Sequence, residues 1–190
     1  CVGHSELPFE FVGGWVGYLG YELKTETGGD RGYPSPNPDA QLLFADRIIA
    51  FDHIDREIYL VTIDEGSHHD EQRSWREQME RKLSSIHQPS APTQECIQFS
   101  LARADKQYHR DIVECLDEIT AGESYEVCLT THLVGAGLSD PLSAYRRLRA
   151  KNDVPFGAFL KLESLSIASV SPERFLKVTS HGHISADPIK

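Results

Sequence analysis

Residues 41–63 read QLLFADRIIAFDHIDREIYLVTI, and this stretch settles the fold class. Two segments rich in β-branched and aromatic residues, 41–51 and 57–63, flank the polar stretch Asp52-His53-Ile54-Asp55-Arg56. Two such runs separated by a short turn-like segment predict a β-hairpin. The same signal recurs at the far end of the chain. Strands are expected at 156–163, 165–170, 173–179 and 183–189, each close enough to the next for a short connection.

Between these strand clusters the period changes. Residues 70–86 place Trp75, Met79, Leu83 and Ile86 at helical spacing, opposite a charged face, with Asp70 as candidate N-cap. Residues 105–121 put Tyr108, Ile112, Cys115, Leu116 and Ile119 on one face, with Asp105 as candidate N-cap and Gly122 as C-cap. A third helix, 140–151, opens with Asp140-Pro141, the favoured order of cap then proline. Residues 124–134, SYEVCLTTHLV, read as a strand. Residues 9–23 read as a strand leading into a short helix, and 24–38 as a loop broken by Gly28-Gly29, Pro34, Pro36 and Pro38. Clustered strands with short connections predict α+β with antiparallel-rich sheets and flanking helices, not alternating βαβ units. The Pro-bearing segment 87–96 is the best boundary in the chain. It separates an N-terminal region, 1–88, from a second region, 97–190.

The chain has 190 residues, and 19 Lys plus Arg against 29 Asp plus Glu give a net charge of −10. An acidic chain is poorly matched to a phosphate backbone, so no nucleic-acid partner is expected. Hydrophobic residues at 39% argue against disorder, and no apolar run reaches the ~20 residues of a membrane span. The four cysteines, Cys1, Cys96, Cys115 and Cys128, form no CxxC pair. Cys115 and Cys128 sit among apolar neighbours and are expected to be buried. A reducing, cytoplasmic setting fits this usage, or a plastid if the source is a plant. The chain starts at Cys1 and stops in strand-like sequence at Lys190, so both ends are expected to be cuts in a larger protein.

Single motifs say little alone. The glycines at 13, 14, 17 and 20 lack the spacing of a phosphate loop and fit close backbone approach instead. His68-His69 and His181-Gly182-His183 lack the spacing of a zinc site. Ser171-Pro172-Glu173-Arg174 could be a turn with a surface ion pair. Lys190 is a nucleophile only if its surroundings hold it neutral.

Five segments in one order change this: FVGGWVGYLGYEL, GESYEVCLTTHL, VPFGAFL, SVSPERFL and ADPIK. Together they resemble the chorismate-utilising enzymes over nearly the whole chain. The resemblance implies part of an anthranilate-synthase-component-I-like fold, with 97–190 as the first part of a chorismate-binding domain. Members of the family that add water to chorismate carry a lysine at the place of Glu126. Members that form anthranilate typically end the last motif Pro-Ile-Ala-Gly-Thr, where this chain has Pro188-Ile189-Lys190. Both positions favour the branch that forms 4-amino-4-deoxychorismate, on the way to p-aminobenzoate and folate.

In that branch the resemblance makes Lys190 the nucleophile. Its amine attacks C2 and expels the C4 hydroxyl; ammonia then attacks C4 and expels the lysine, splitting one hard step into two. The resemblance further implies magnesium, with ligands beyond Lys190. It implies ammonia from a glutamine amidotransferase, either a partner subunit or a fused domain, and the YELK and SYEVCLTT forms resemble fused members. It implies a tryptophan pocket over Asn152, Val154, Pro155, Phe156 and Gly157, although Gly157 departs from the bulkier residue common in anthranilate synthases. Read as residues alone, Pro155 and Phe156 are equally a strand start and a core residue. Glu173 and Arg174 match a motif whose role is structural. Two alternatives stay open: formation of anthranilate, and a non-catalytic tryptophan-binding or partner-docking lobe. The chain by itself is expected to expose strand edges and to be inactive and poorly soluble.

Overall fold

The computed structural model describes residues 7–29, 32–63, 66, 68–87 and 96–189. The chain divides into two compact units, Cys1–Ser90 with Leu160–Leu165, and Ala91–Phe159 with Ser166–Lys190.

In the first unit, β1 (Gly14–Leu19) leads into a 3-10 helix at Tyr21–Thr27 and is followed by β2 (Ala40–Ala45), β3 (Arg47–Asp52), β4 (Glu57–Thr62) and helix α1 (His69–Ser84). β1 pairs with β2 antiparallel, with Trp15 opposite Phe44 and Gly17 opposite Leu42. A Cβ at Gly17 would collide with the Gln41 carbonyl, so this glycine is what lets the two strands close up. The expected hairpin is present, but the run 41–51 is two strands rather than one. Asp46 breaks it; β2 pairs back to β1, and β3 pairs with β4 from Arg47↔Thr62 to Asp52↔Glu57. The turn is built by Asp52, whose Oδ1 accepts from the N–H groups of Ile54 (2.8 Å) and Asp55 (3.1 Å). Arg56 completes it with φ of 58°. The expected loop from residue 24 starts later, because the 3-10 helix runs on to Thr27 and stops at Gly28 with φ of 86°.

Helix α1 carries Trp75, Met79 and Leu83 on its half-buried face, as their spacing predicts, but Ile86 lies beyond the helix and is exposed. Asp70 is not the N-cap. His68 holds that position, and Asp70 lies in the first turn, where its charge suits the helix dipole. A polar network fixes the helix. Gln72 is buried; its Nε2 donates to the Ile63 carbonyl (3.2 Å) and the Asp46 carboxylate (3.5 Å), and its Oε1 accepts from Arg47 Nε (3.2 Å). Arg76 donates to the Thr62 hydroxyl at 2.8 Å.

The second unit contains β5 (Phe99–Leu101), α2 (Asp105–Ala121), β6 (Leu133–Gly135), α3 (Pro141–Lys151), all but the last two residues of β7 (Phe156–Lys161), β8 (Ser166–Ser171), β9 (Arg174–Val178) and β10 (Ile184–Asp187). β5 pairs antiparallel with β6 across the intervening helix, a pairing that the sequence pattern does not predict. The strand expected at 124–134 contracts to β6: only Leu133–Gly135 find ladder partners, in β5. At α2 the N-cap is Ala104 and Asp105 is the first helical residue, not the cap that its side chain suggests. Gly122 closes the helix with φ of 84°, and Glu123 N–H returns to the Glu118 carbonyl at 3.0 Å. Helix α3 starts as its sequence predicts, with Asp140 Oδ1 accepting from Ser143 N–H at 3.1 Å and Pro141 in the first turn. Its Tyr145, only 7% exposed, stacks on Phe159 with ring centroids 5.5 Å apart. β7 and β8 pair across the Leu162–Leu165 turn, and β9 pairs antiparallel with β10. Cys115 is half-buried, whereas Cys128, expected inside, is exposed.

Both units are therefore antiparallel ladders with helices beside them, the α+β arrangement that the clustered strands predict.

Candidate functional site

The second unit brings together the end of β10, the start of β9 and the start of β7. Lys190, the expected nucleophile, lies outside the described residues, but the chain leading to it is placed up to Ile189. That chain is held from β9. The Glu173 carboxylate accepts a hydrogen bond from Ile189 N–H at 2.8 Å. Arg174 Nη2 lies 2.6 Å from Asp187 Oδ2 and 3.3 Å from Ser185 Oγ. Its guanidinium also sits 6.0 Å from the centroid of the Phe156 ring. The Arg174 Nε is buried without a hydrogen-bond partner among the described residues.

The turn before β9 is local chemistry. Ser171 Oγ donates to the Glu173 carbonyl (2.9 Å) and accepts from Glu173 N–H (3.2 Å), which reverses the chain and launches Glu173 and Arg174 side by side. At the other end of the hairpin, Gly182 has φ of 79° and Thr179 Oγ1 accepts from His183 N–H at 3.1 Å, so His181 and His183 belong to a turn.

Of the residues expected around tryptophan, Asn152 ends α3 and donates from Nδ2 to the Leu148 carbonyl at 2.7 Å. Val154 is half-buried, Pro155 is exposed, and Phe156 opens β7 toward Arg174. A Cβ at Gly157 would lie 3.1 Å from Tyr145 Oη, so the space above this glycine is already taken by the tyrosine. Glu126 is exposed, with its carbonyl accepting from Ser124 Oγ at 2.8 Å. A separate cavity of about 520 Å³ in this unit is lined by Cys96, Ile97, Phe99, Gly135, Leu138, Ala144 and Arg147. Among the described residues no group of three or more His, Cys, Asp or Glu side chains is placed to hold a metal ion.

A family model described as chorismate binding enzyme matches residues 3–190. The chain belongs to the chorismate-binding enzyme family. Among its chorismate-binding relatives, the aminodeoxychorismate synthase of Streptomyces griseus is 41% identical over 97% of this chain and 26% of its own length. The chloroplastic aminodeoxychorismate synthase of Arabidopsis thaliana is 38% identical over 98% of this chain and 22% of its own. Anthranilate synthase alpha subunit 2 of the same plant is less similar, 29% identical over 92% of this chain and 32% of its own. The chain thus spans about a quarter of the length of the aminodeoxychorismate synthases that it matches. The fold agrees with that of anthranilate synthase component I from Streptococcus pneumoniae, with a TM-score of 0.80 at 22% identity over 94% of this chain and 42% of that one.

The part played by Arg174, Ser185 and Asp187 is not evident from motifs alone. The signal that could have found it is register: in a two-stranded hairpin the residue that opens β9 faces the residue that closes β10, and here these are Arg and Asp.

Proposed function

We propose that this chain is part of an enzyme that converts chorismate and ammonia to 4-amino-4-deoxychorismate, with Lys190 as its nucleophile. The observation that carries this reading is the 41% identity to an aminodeoxychorismate synthase over 97% of the chain. The lysine of Pro188-Ile189-Lys190 fits it.

The neutral Lys190 amine attacks C2. The C2–N bond forms, the two conjugated ring double bonds shift from C1=C2 and C5=C6 to C1=C6 and C4=C5, and the C4–O bond breaks, the hydroxyl leaving as water with a proton from the amine. Ammonia attacks C4, both double bonds shift back, and the C2–N bond breaks to return the lysine amine, which takes up the proton that ammonia loses. Two allylic displacements retain the configuration at C4 and replace one difficult substitution by two easier ones. What this chain contributes is the segment before the nucleophile: Glu173 accepts from Ile189 N–H and Arg174 pairs with Asp187, so the chain is held up to the residue that precedes Lys190. Ammonia is supplied by a glutamine amidotransferase, as a partner or a fused domain. Asn152, Val154, Pro155, Phe156 and Gly157 border a tryptophan site. Magnesium is held by residues outside this chain.

The test is product identity. The full-length protein is incubated with chorismate, magnesium and ammonium, and aminodeoxychorismate lyase is then added. p-Aminobenzoate is the expected product. Anthranilate fluorescence without p-aminobenzoate would sink the reading in favour of an anthranilate synthase.

A further inference from the structure

The β9–β10 hairpin is irregular at one place. Ser185 faces Lys177 and Asp187 faces Arg174, so two residues of β9, Phe175 and Leu176, stand against the single residue Ala186. This is a β-bulge, a device that bends a strand and re-aims the chain beyond it. Left to itself a bulge is a weak point in the ladder, because its extra residue has no partner. Here Arg174 Nη2 reaches Asp187 Oδ2 (2.6 Å) on one side of the bulge and Ser185 Oγ (3.3 Å) on the other. The guanidinium is backed by the Phe156 ring. One residue earlier, the Glu173 carboxylate takes the Ile189 N–H.

We propose that Arg174 is a positioning residue: by stapling the two sides of the β9–β10 bulge it fixes the direction in which the chain leaves Asp187 toward position 190. This rests on the reading of Lys190 as nucleophile and deepens it. The Arg174–Asp187 pair is partly open to water, with side chains 31% and 56% exposed. Such pairs contribute little to global stability. The effect of losing Arg174 therefore falls on aim rather than on folding. A nucleophile displaced by even a fraction of a bond length loses rate without losing substrate binding.

The experiment uses the full-length protein and its Arg174→Met and Arg174→Lys variants. Thermal midpoint, kcat and KM for chorismate, and amide hydrogen exchange of the peptide covering residues 184–189 are measured on each. The expected result for Arg174→Met is a kcat about tenfold lower, KM within about twofold and an unchanged midpoint. Exchange at Ile189 is faster, and Arg174→Lys recovers part of the rate. An unchanged kcat, unchanged exchange, or a kcat that falls only together with the melting midpoint would overturn the positioning role. If the unmutated protein forms no aminodeoxychorismate, the reading of function fails. The exchange arm then decides the staple by itself.

Discussion

Gln72 is the residue on which the first unit turns. It is 4% exposed, and its amide is satisfied on both sides by Arg47, Asp46 and the Ile63 carbonyl. Cutting it to alanine leaves the half-buried Ile63 carbonyl and the Asp46 carboxylate short of a donor. An unmet buried partner costs about 1–3 kcal/mol. Gln72→Ala in the full-length protein is predicted to destabilise the N-terminal unit by that amount in denaturant unfolding. A change inside about 0.5 kcal/mol, the range of an ordinary surface substitution, would show that the network does not carry α1. At this scale the sequence says little: a glutamine among DEQRSWREQ looks like any solvated position. Its burial comes from the break at Asp46, which only the pairing of two separate ladders produces. Glu173 and Arg174 were legible as structural residues. The bulge that gives Arg174 its two partners was not, since register is set between strands and not within one.

Among the elements, the three helices were legible because period and stop signals agree, and at α3 the cap agrees as well. The Ser143 hydrogen bonds to the Asp140 side chain hold its carboxyl below the ordinary value of 3.8. A depressed pKa means that the cap contributes fully above the unfolded value and loses its contribution as pH falls through the folded one. Amide exchange over residues 142–145, corrected for the intrinsic rate, is therefore predicted to stay constant from neutral pH down to about pH 4.5. Below the ordinary value of 3.8 protection is lost, and in Asp140→Ala it is low throughout. An acid response of the same size in Asp140→Ala would contradict the cap. The strands were less legible. Residues 41–51 contain enough β-formers for one long strand, yet the chain changes partner at Asp46. Residues 124–132 carry strand composition but join no ladder among the described residues, since a strand exists only where a partner edge is offered.

At the scale of the whole molecule, large apolar side chains stand open in each of the two units taken by itself. Among the described residues only Tyr145 and Gln72 are buried, while Trp15, Phe44, Leu116, Leu133 and Phe175 stand open. The ladders are in place, but their apolar faces are not covered. The 190-residue chain expressed alone is predicted to be inactive, to bind a hydrophobic dye and to unfold without a sharp transition. A monodisperse, cooperatively melting preparation would contradict this. Family resemblance was legible in five short segments because those motifs are local, whereas the contacts around the candidate site were not, because they are set by pairing between strands. The chemistry proposed for that longer chain stands or falls with Lys190, so the deciding comparison is between the full-length protein and its Lys190→Ala variant. Formation of 4-amino-4-deoxychorismate from chorismate and ammonium is followed for both. Product is expected from the unmutated protein, with a rate at least about tenfold lower in the variant while its fold stays intact. Equal rates of product formation in the two proteins would show that Lys190 is not the nucleophile.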